Sequence, residues 1–200
     1  RPLNSRTGPD GALYVSDMYK GIIEHVVFMM PYLRNQIEKR SLEDPPGLGR
    51  IYRIRHEGKP LGKVPKMSTH GPDKLVQHLS HPNGWWRDTA QKLLVVRGDA
   101  SVVPALKSMA RSGKSPLARL HALWSLEGLG IFDTDLLKAA MKDADPRVRI
   151  SAIRGLSETG SSEARELLFW YFGEHLEDSV TFPTLVDVLG HMGDHRVVKP

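Results

Sequence analysis

Along the last two thirds of the chain, small and apolar residues recur at offsets of three and four, and they print one pattern three times, Arg-x-x-Ala-x-x-x-Leu-x-x-x-Gly. The copies are Arg87, Ala90, Leu94, Gly98; Arg119, Ala122, Leu126, Gly130; and Arg149, Ala152, Leu156, Gly160, starting 32 and then 30 residues apart. These offsets put Ala, Leu and the residue before Arg on one stripe of a helix, Val148, Ala152 and Leu156 in the third copy. Ala permits a close helix approach, Leu fills the gap, and Gly supplies the left-handed conformation that ends the helix. Helix starts are written too. Asp145-Pro146 and Ser115-Pro116 each place a capping side chain before a proline whose missing N–H is tolerated in the first turn. The first copy opens on His81-Pro82-Asn83-Gly84. Before each helix lies a second apolar segment, at 75–79, 102–109, 136–141 and 164–172, read as its antiparallel partner. A fourth copy holds Phe182, Leu185, Leu189 and Gly193 in the same slots and loses the arginine. Two helices per unit of about 30 residues predict a mainly α fold, a helical solenoid over 73–200. Its units fall at about 73–98, 99–130, 131–160 and 161–193. Gly193-Asp194-His195-Arg196-Val197-Val198 echoes Gly98-Asp99-Ala100-Ser101-Val102-Val103, so a truncated fifth unit is expected from 194 and the chain reads as an excerpt of a longer protein.

The first seventy residues carry a different period. Gly8-Pro9-Asp10-Gly11 is a turn, and the alternating segments at 12–17 and 49–55 read as strands. Between them an excursion of about 19–48 holds a helical stretch at 31–40 and ends in the breaker Asp44-Pro45-Pro46-Gly47. Residues 57–72 have the Pro, Gly and Lys content of a linker. The expected layout is a small β-rich segment at 1–56, a linker at 57–72 and the solenoid at 73–200.

Asp145-Pro146-Arg147-Val148-Arg149-x-x-Ala152-x-x-x-Leu156 resembles the HEAT-repeat consensus, including the short variant of phycobilin lyases. The resemblance implies a structural ladder between neighbouring repeats that involves Arg87, Arg119, Asp145 and Arg149; only the third unit has both the Asp and the Arg. The run Gly8-Pro9-Asp10-Gly11-x-Leu13-Tyr14-Val15-x-Asp17 followed by Gly49-x-Ile51-Tyr52-Arg53-Ile54 resembles a blade of six-bladed propellers, as in NHL proteins and soluble quinoprotein sugar dehydrogenases. With Met18 through Ile23, Tyr32-Leu33-Arg34 and Leu48 added, it is similar to large exported dehydrogenase-like proteins of planctomycetes and verrucomicrobia. These combine a propeller, a HEAT array and often a c-type haem domain. The resemblance implies quinone and haem c cofactors in the parent, none in this chain, and a periplasmic or exported location. It also makes Asp17, Tyr19 and Lys20 candidate residues of the parent's site, because Asp17 would end a strand lining a propeller channel. A single blade cannot close a propeller, so the β segment is expected to be a remnant of one.

Charge separates the halves. Residues 1–70 hold 12 Lys/Arg against 7 Asp/Glu and residues 71–200 hold 16 against 16, so the whole +5 excess precedes the solenoid. Phosphate-gripping solenoids need a basic stripe; a neutral array makes nucleic acid a poor partner. His191 and His195 have metal-pair spacing, but Gly193 and Asp194 between them end the helix and no third ligand is evident, so no metal site is assigned. His70, His78 and His81 read as surface or capping residues. The runs Trp85-Trp86 and Phe169-Trp170-Tyr171-Phe172 surround their helices rather than forming one platform, and are expected in the core between repeats. Neither a phosphate loop nor a nucleophile elbow occurs. The chain has no cysteine, hence no disulfide and no haem attachment site.

These features predict a non-catalytic interaction or spacer module whose concave surface holds a protein partner or a neighbouring domain. The alternatives are a part of a quinone- and haem-dependent sugar or alcohol dehydrogenase, and a phycobilin-lyase-like protein.

Overall fold

The computed structural model describes residues 2–19, 26–42, 47–194 and 196. Two compact units divide the chain, Arg1–Pro65 and Lys66–Pro200.

In the first unit, β1 (Pro2–Thr7), β2 (Leu13–Asp17) and β3 (Arg50–Ile54) form an antiparallel sheet in the order β1-β2-β3. The turn between β1 and β2 bends at Gly11, whose φ of 84° suits glycine. Asp10 fixes that turn from inside. It is buried, accepts from the Ala12 N–H at 3.1 Å and the Tyr14 hydroxyl at 3.2 Å, and is paired with Arg53 of β3. Burial alone would raise the Asp10 carboxyl; the Ala12 N–H, Arg53 and Tyr14 outweigh it and hold the group below its ordinary value. Cross-strand pairs place Leu13 opposite Ile54 and Val15 opposite Tyr52 on one face, and Leu13, Ile54 and Tyr52 are exposed. Helix α1 (Pro31–Lys39) begins on a proline in its first turn and buries Ile37. Strand β1 was not signalled by its sequence: Leu-Asn-Ser-Arg-Thr has no apolar alternation, and the strand exists through its backbone ladder with β2.

The second unit is built from α2 (Pro72–His78), α3 (Gly84–Arg97), α4 (Val103–Ser112), α5 (Pro116–Gly128), α6 (Thr134–Ala140), α7 (Pro146–Glu158), α8 (Ser162–Glu174) and α9 (Phe182–His191). The Arg-bearing helices α3, α5 and α7, with α9 after them, stack in succession as one layer, and α2, α4, α6 and α8 pack against it. This is a helical solenoid. The repeated stripe is its core: Ala90, Ala122, Val148, Ala152 and Leu156 are completely buried. Asn83, Asp133, Asp145 and Ser161 cap their helices by accepting backbone N–H groups. Ser115 departs from its expected role. It has the extended backbone of a cap, but its hydroxyl accepts no N–H, so α5 starts on Pro116 alone.

Each motif glycine adopts the left-handed conformation, with φ of 62° at Gly98, 72° at Gly130, 63° at Gly160 and 72° at Gly193. Gly160→Ala is therefore expected to destabilise the chain by about 1 kcal/mol, since a Cβ is strained at this φ. Gly173, inside α8 with open space where its Cβ would stand, should behave oppositely. Gly173→Ala is expected to stabilise by about 0.5 to 1 kcal/mol, and urea denaturation of both variants checks the pair of signs.

Candidate functional site

The Arg-bearing layer carries a trough. Two recesses of about 420 and 450 Å³ adjoin, sharing Gln91 of α3 and Trp124 and Gly128 of α5. The first continues to α7 at Ser151 and Arg154, the second to Asp88, Lys92 and Val96 of α3. Three of the side chains that line the trough sit two residues after a motif Ala: Lys92, Trp124 and Arg154. On a helix that offset leaves the buried stripe and faces away from it. Trp124 is 39% exposed. Buried His121 holds the walls in place: its Nδ1 is 2.7 Å from Gln91 Oε1, donating to that oxygen, and its ring meets Trp124 edge-on at 5.3 Å. Burial pushes the His121 imidazole down, toward its neutral form. Gly128 lets α3 and α5 close up, because a Cβ there would come within 2.6 Å of Val95 Cγ2. Burial and nearby Glu158 raise the Glu127 carboxyl against the pull of Arg154. Arg154 is exposed, and its side chain makes no hydrogen bond or ion pair among the described residues. The trough thus offers a fixed aromatic face, an available guanidinium and a hydroxyl. It contains no nucleophile paired with a base.

The motif arginines lie outside the trough, and two of them, Arg119 and Arg149, tie successive units together. Each donates Nη1 to the backbone carbonyl six residues before it: Arg87 to His81 at 2.7 Å, Arg119 to Gly113 at 2.7 Å, Arg149 to Asp143 at 3.0 Å. Two of them also reach a carboxylate before the next Arg-layer helix. Arg119 grips Asp143 with two bonds of 2.7 Å, and Arg149 reaches Asp178 at 2.9 Å. Asp145 is not the acid of these bridges, contrary to the consensus-based expectation; it caps α7 and binds Arg147 with Oδ2 at 2.7 Å. That bond to Arg147 drives the Asp145 carboxyl down to about 2, and the Thr181 hydroxyl does the same to Asp178, also to about 2. Arg87 has no carboxylate ahead of it. The position matching Asp143 is Gly113, where a Cβ would lie 2.7 Å from the Met109 carbonyl oxygen.

At the start of the second unit His81 takes a capping role, accepting the Asn83 N–H at 3.0 Å, whereas His70 and His78 pair with each other rather than stand as separate surface residues. His70 Nδ1 and His78 Nε2 are 2.9 Å apart, His78 meets Trp86 edge-on, and His81 stacks on Trp86 at 4.3 Å. Arg97 fastens this corner by donating to the carbonyls of His70 and Ser68. One proton can be shared between the two rings; two cannot. Burial first, then Lys74 and Arg97, lower His70, and burial with His70, Lys74 and His81 lowers His78. A histidine depressed in the folded state gives stability that is complete above the unfolded value of about 6.5 and is lost as pH falls below it. The urea midpoint is expected to drop between pH 7.5 and 5.5, and by less in His78→Gln. The low-lying carboxylates of Asp145 and Asp178 act only below about pH 4; His121, also depressed by burial, acts in the same window, so the difference between wild type and His78→Gln is what reports on the pair.

The remaining sequence candidates are in the first unit. Asp17 closes β2 and accepts the Tyr19 N–H at 3.1 Å; Tyr19 has a φ of 48° and its ring lies under the Arg50 guanidinium, 4.1 Å from the centroid. The structure brings these two together on an exposed corner, and Lys20 lies outside the described residues, as does His195. Of the aromatic run, Tyr171 is buried, but Trp170 is 59% exposed, against the expectation of an all-round buried helix. Among the described residues no group of three or more His, Asp or Glu is placed to hold a metal ion, and no helix is long and apolar enough to cross a membrane.

Set beside known proteins, residues 133–200 match the model for HEAT repeats, and residues 1–58 match a domain of unknown function, DUF7133. No curated protein matches the chain. The HEAT match over 133–200 and the paired, stacked helices agree that the second unit is a helical solenoid, an architecture that commonly serves as a protein-interaction scaffold.

Proposed function

We propose that the chain is a non-catalytic protein-binding module, and that the trough across α3, α5 and α7 is the surface on which it holds a partner or a neighbouring domain. The observation that carries this reading is Trp124, fixed by buried His121 and left half open to solvent beside Arg154. A rigid, partly exposed Trp next to an arginine is the composition of an interface hot spot. On the resemblance of residues 8–55 to a propeller blade, the parent is an exported, dehydrogenase-like protein in which this module connects or spaces domains. Asp17, Tyr19 and Lys20 would belong to the site of that parent, with quinone and haem c bound elsewhere in it.

A photo-crosslinker placed at Lys92 tests the reading. It should capture a discrete partner in cell extract, Trp124→Ala should abolish the capture, and the same crosslinker at exposed Ser112 of α4 should give none. Equal capture from both positions would overturn the assignment to the trough. Incubation of the chain with quinone and sugars or alcohols should give no turnover, and clear turnover would overturn the non-catalytic reading.

A further inference from the structure

The other layer of the solenoid carries a recess that shares no residue with the trough. It is a cleft of about 400 Å³ between α6 and α8, where Lys138, Ala139, Met141 and Lys142 face Leu167, Trp170 and Tyr171. Helices α6 and α8 approach each other less closely than α4 and α6 do, which leaves this opening in the layer. Its floor is rigid and satisfied: Met141 and Tyr171 are buried, and the Tyr171 hydroxyl donates to the Met141 carbonyl at 2.9 Å. The floor therefore has little polar need of its own and favours an apolar occupant. Its wall is Trp170, open to solvent over more than half of its surface.

The rim is cationic. Lys138 of α6 and Lys142, in the turn just after the helix, both line the cleft, and no carboxylate is among its lining residues. Lys138 is already engaged with Glu163 at 2.9 Å. Lys142 is exposed and has no ion pair among the described residues. An apolar floor, an exposed Trp and an available ammonium complement one kind of surface.

We propose that the α6–α8 cleft docks an acidic segment of a protein partner, a bulky apolar side chain lying against Trp170 and Leu167 while a carboxylate close to it in sequence pairs with Lys142. The cleft opens to solvent at Trp170 and Lys142, which suits a side chain projecting from a larger partner better than an enclosed small molecule. Two lysines are too few to track a nucleic-acid backbone. The site is independent of the trough, so the chain has a binding surface on each layer.

Random peptides of about a dozen residues, displayed on phage and panned against the intact chain, test this. Enriched sequences should place Leu, Ile, Phe or Trp within four positions of Asp or Glu. Binding of such a peptide should fall at least about tenfold in Trp170→Ala and in Lys142→Glu, stay within about twofold in Lys142→Arg, and be unchanged in Trp124→Ala. Trp170 and Lys142 are both exposed, and an unchanged circular dichroism spectrum shows that each variant is folded. Enrichment of basic peptides, equal recovery on wild type and Trp170→Ala, or no enrichment at all would overturn the proposal. A dimer in sedimentation that Trp170→Ala dissolves would overturn it as well, by assigning the cleft to a second copy of the chain.

Discussion

Leu156→Ala is expected to lower the unfolding free energy by about 3 kcal/mol, within the range of roughly 2 to 5 seen when a fully buried leucine is truncated. Leu156 is completely buried, as are its stripe neighbours Val148 and Ala152 and the adjoining Ile153. They belong to α7, which packs against α5, α6, α8 and α9 and so joins its own unit to the units before and after it. The site has little room to collapse, because Gly155 beside it already sits where a Cβ would be only 3.0 Å from Leu137 Cδ2. A solenoid is held by contacts between nearest neighbours, so a cavity at α7 also weakens the coupling between the units on either side. Urea denaturation should therefore show an earlier midpoint and a broader transition than wild type. Leu156→Met, which conserves volume, should cost less than about 1.5 kcal/mol, and Val96→Ala, at an exposed site, should stay within about 0.5. A Leu156→Ala loss no larger than that of Val96→Ala would mean that the stripe is not the core.

The solenoid was legible because its signals are local. A stripe at offsets of three and four and a glycine that ends the helix are written within one helix, and Gly98, Gly130, Gly160 and Gly193 all take the left-handed conformation their places in the pattern demand. Strand β1 was not legible, because what makes Pro2–Thr7 a strand is the partner ladder on β2. The acid that answers Arg119 lies off the consensus for a related reason. Asp145 matches the consensus, but a carboxylate two residues after another in a tight turn is free to serve its own helix, and Asp143 is the one that points back to α5. Trp170 shows the limit of composition: four consecutive aromatics predict burial, yet the widened step between α6 and α8 leaves one of them outside. The trough had a signal that could have found it. With the three copies of the pattern in register, the position off the stripe, two residues past each Ala, is Lys92, Trp124 and Arg154.

Arg119→Ala is expected to cost about 2 to 3 kcal/mol at neutral pH, the larger part of it from the groups the guanidinium leaves behind. The Arg119 and Asp143 side chains are 15% and 12% exposed, and their two parallel bonds of 2.7 Å join the first turn of α5 to the turn before α7. The third donor of Arg119 satisfies the Gly113 carbonyl. Truncation strands that carbonyl and removes two of the partners of an enclosed carboxylate. The loss stops short of that for a wholly buried pair, because Asp143 keeps the Asp145 N–H at 2.8 Å and some contact with water. Arg87→Met is the control. Among the described residues Arg87 donates only to the carbonyls of His81 and Pro82, the second of them exposed, and its Nε is buried without an acceptor, so an apolar chain of similar length strands one part-buried carbonyl but no carboxylate and should cost about 1 kcal/mol, less than Arg119→Ala. Acidity separates the bridge from mere packing. Burial would raise the Asp143 carboxyl, but Arg119 and the Asp145 N–H overcome it and hold the group below its ordinary 3.8. A depressed carboxylate contributes stability that is present above the unfolded value and is lost as pH falls through the folded one. The gap between wild type and Arg119→Ala should accordingly be full at pH 7 and narrow toward pH 3, whereas the gap for Leu156→Ala should not follow that titration. Parallel urea curves at the two pH values measure both differences, and an Arg119→Ala gap that does not shrink in acid would show that the side chain acts through its packing and not through Asp143.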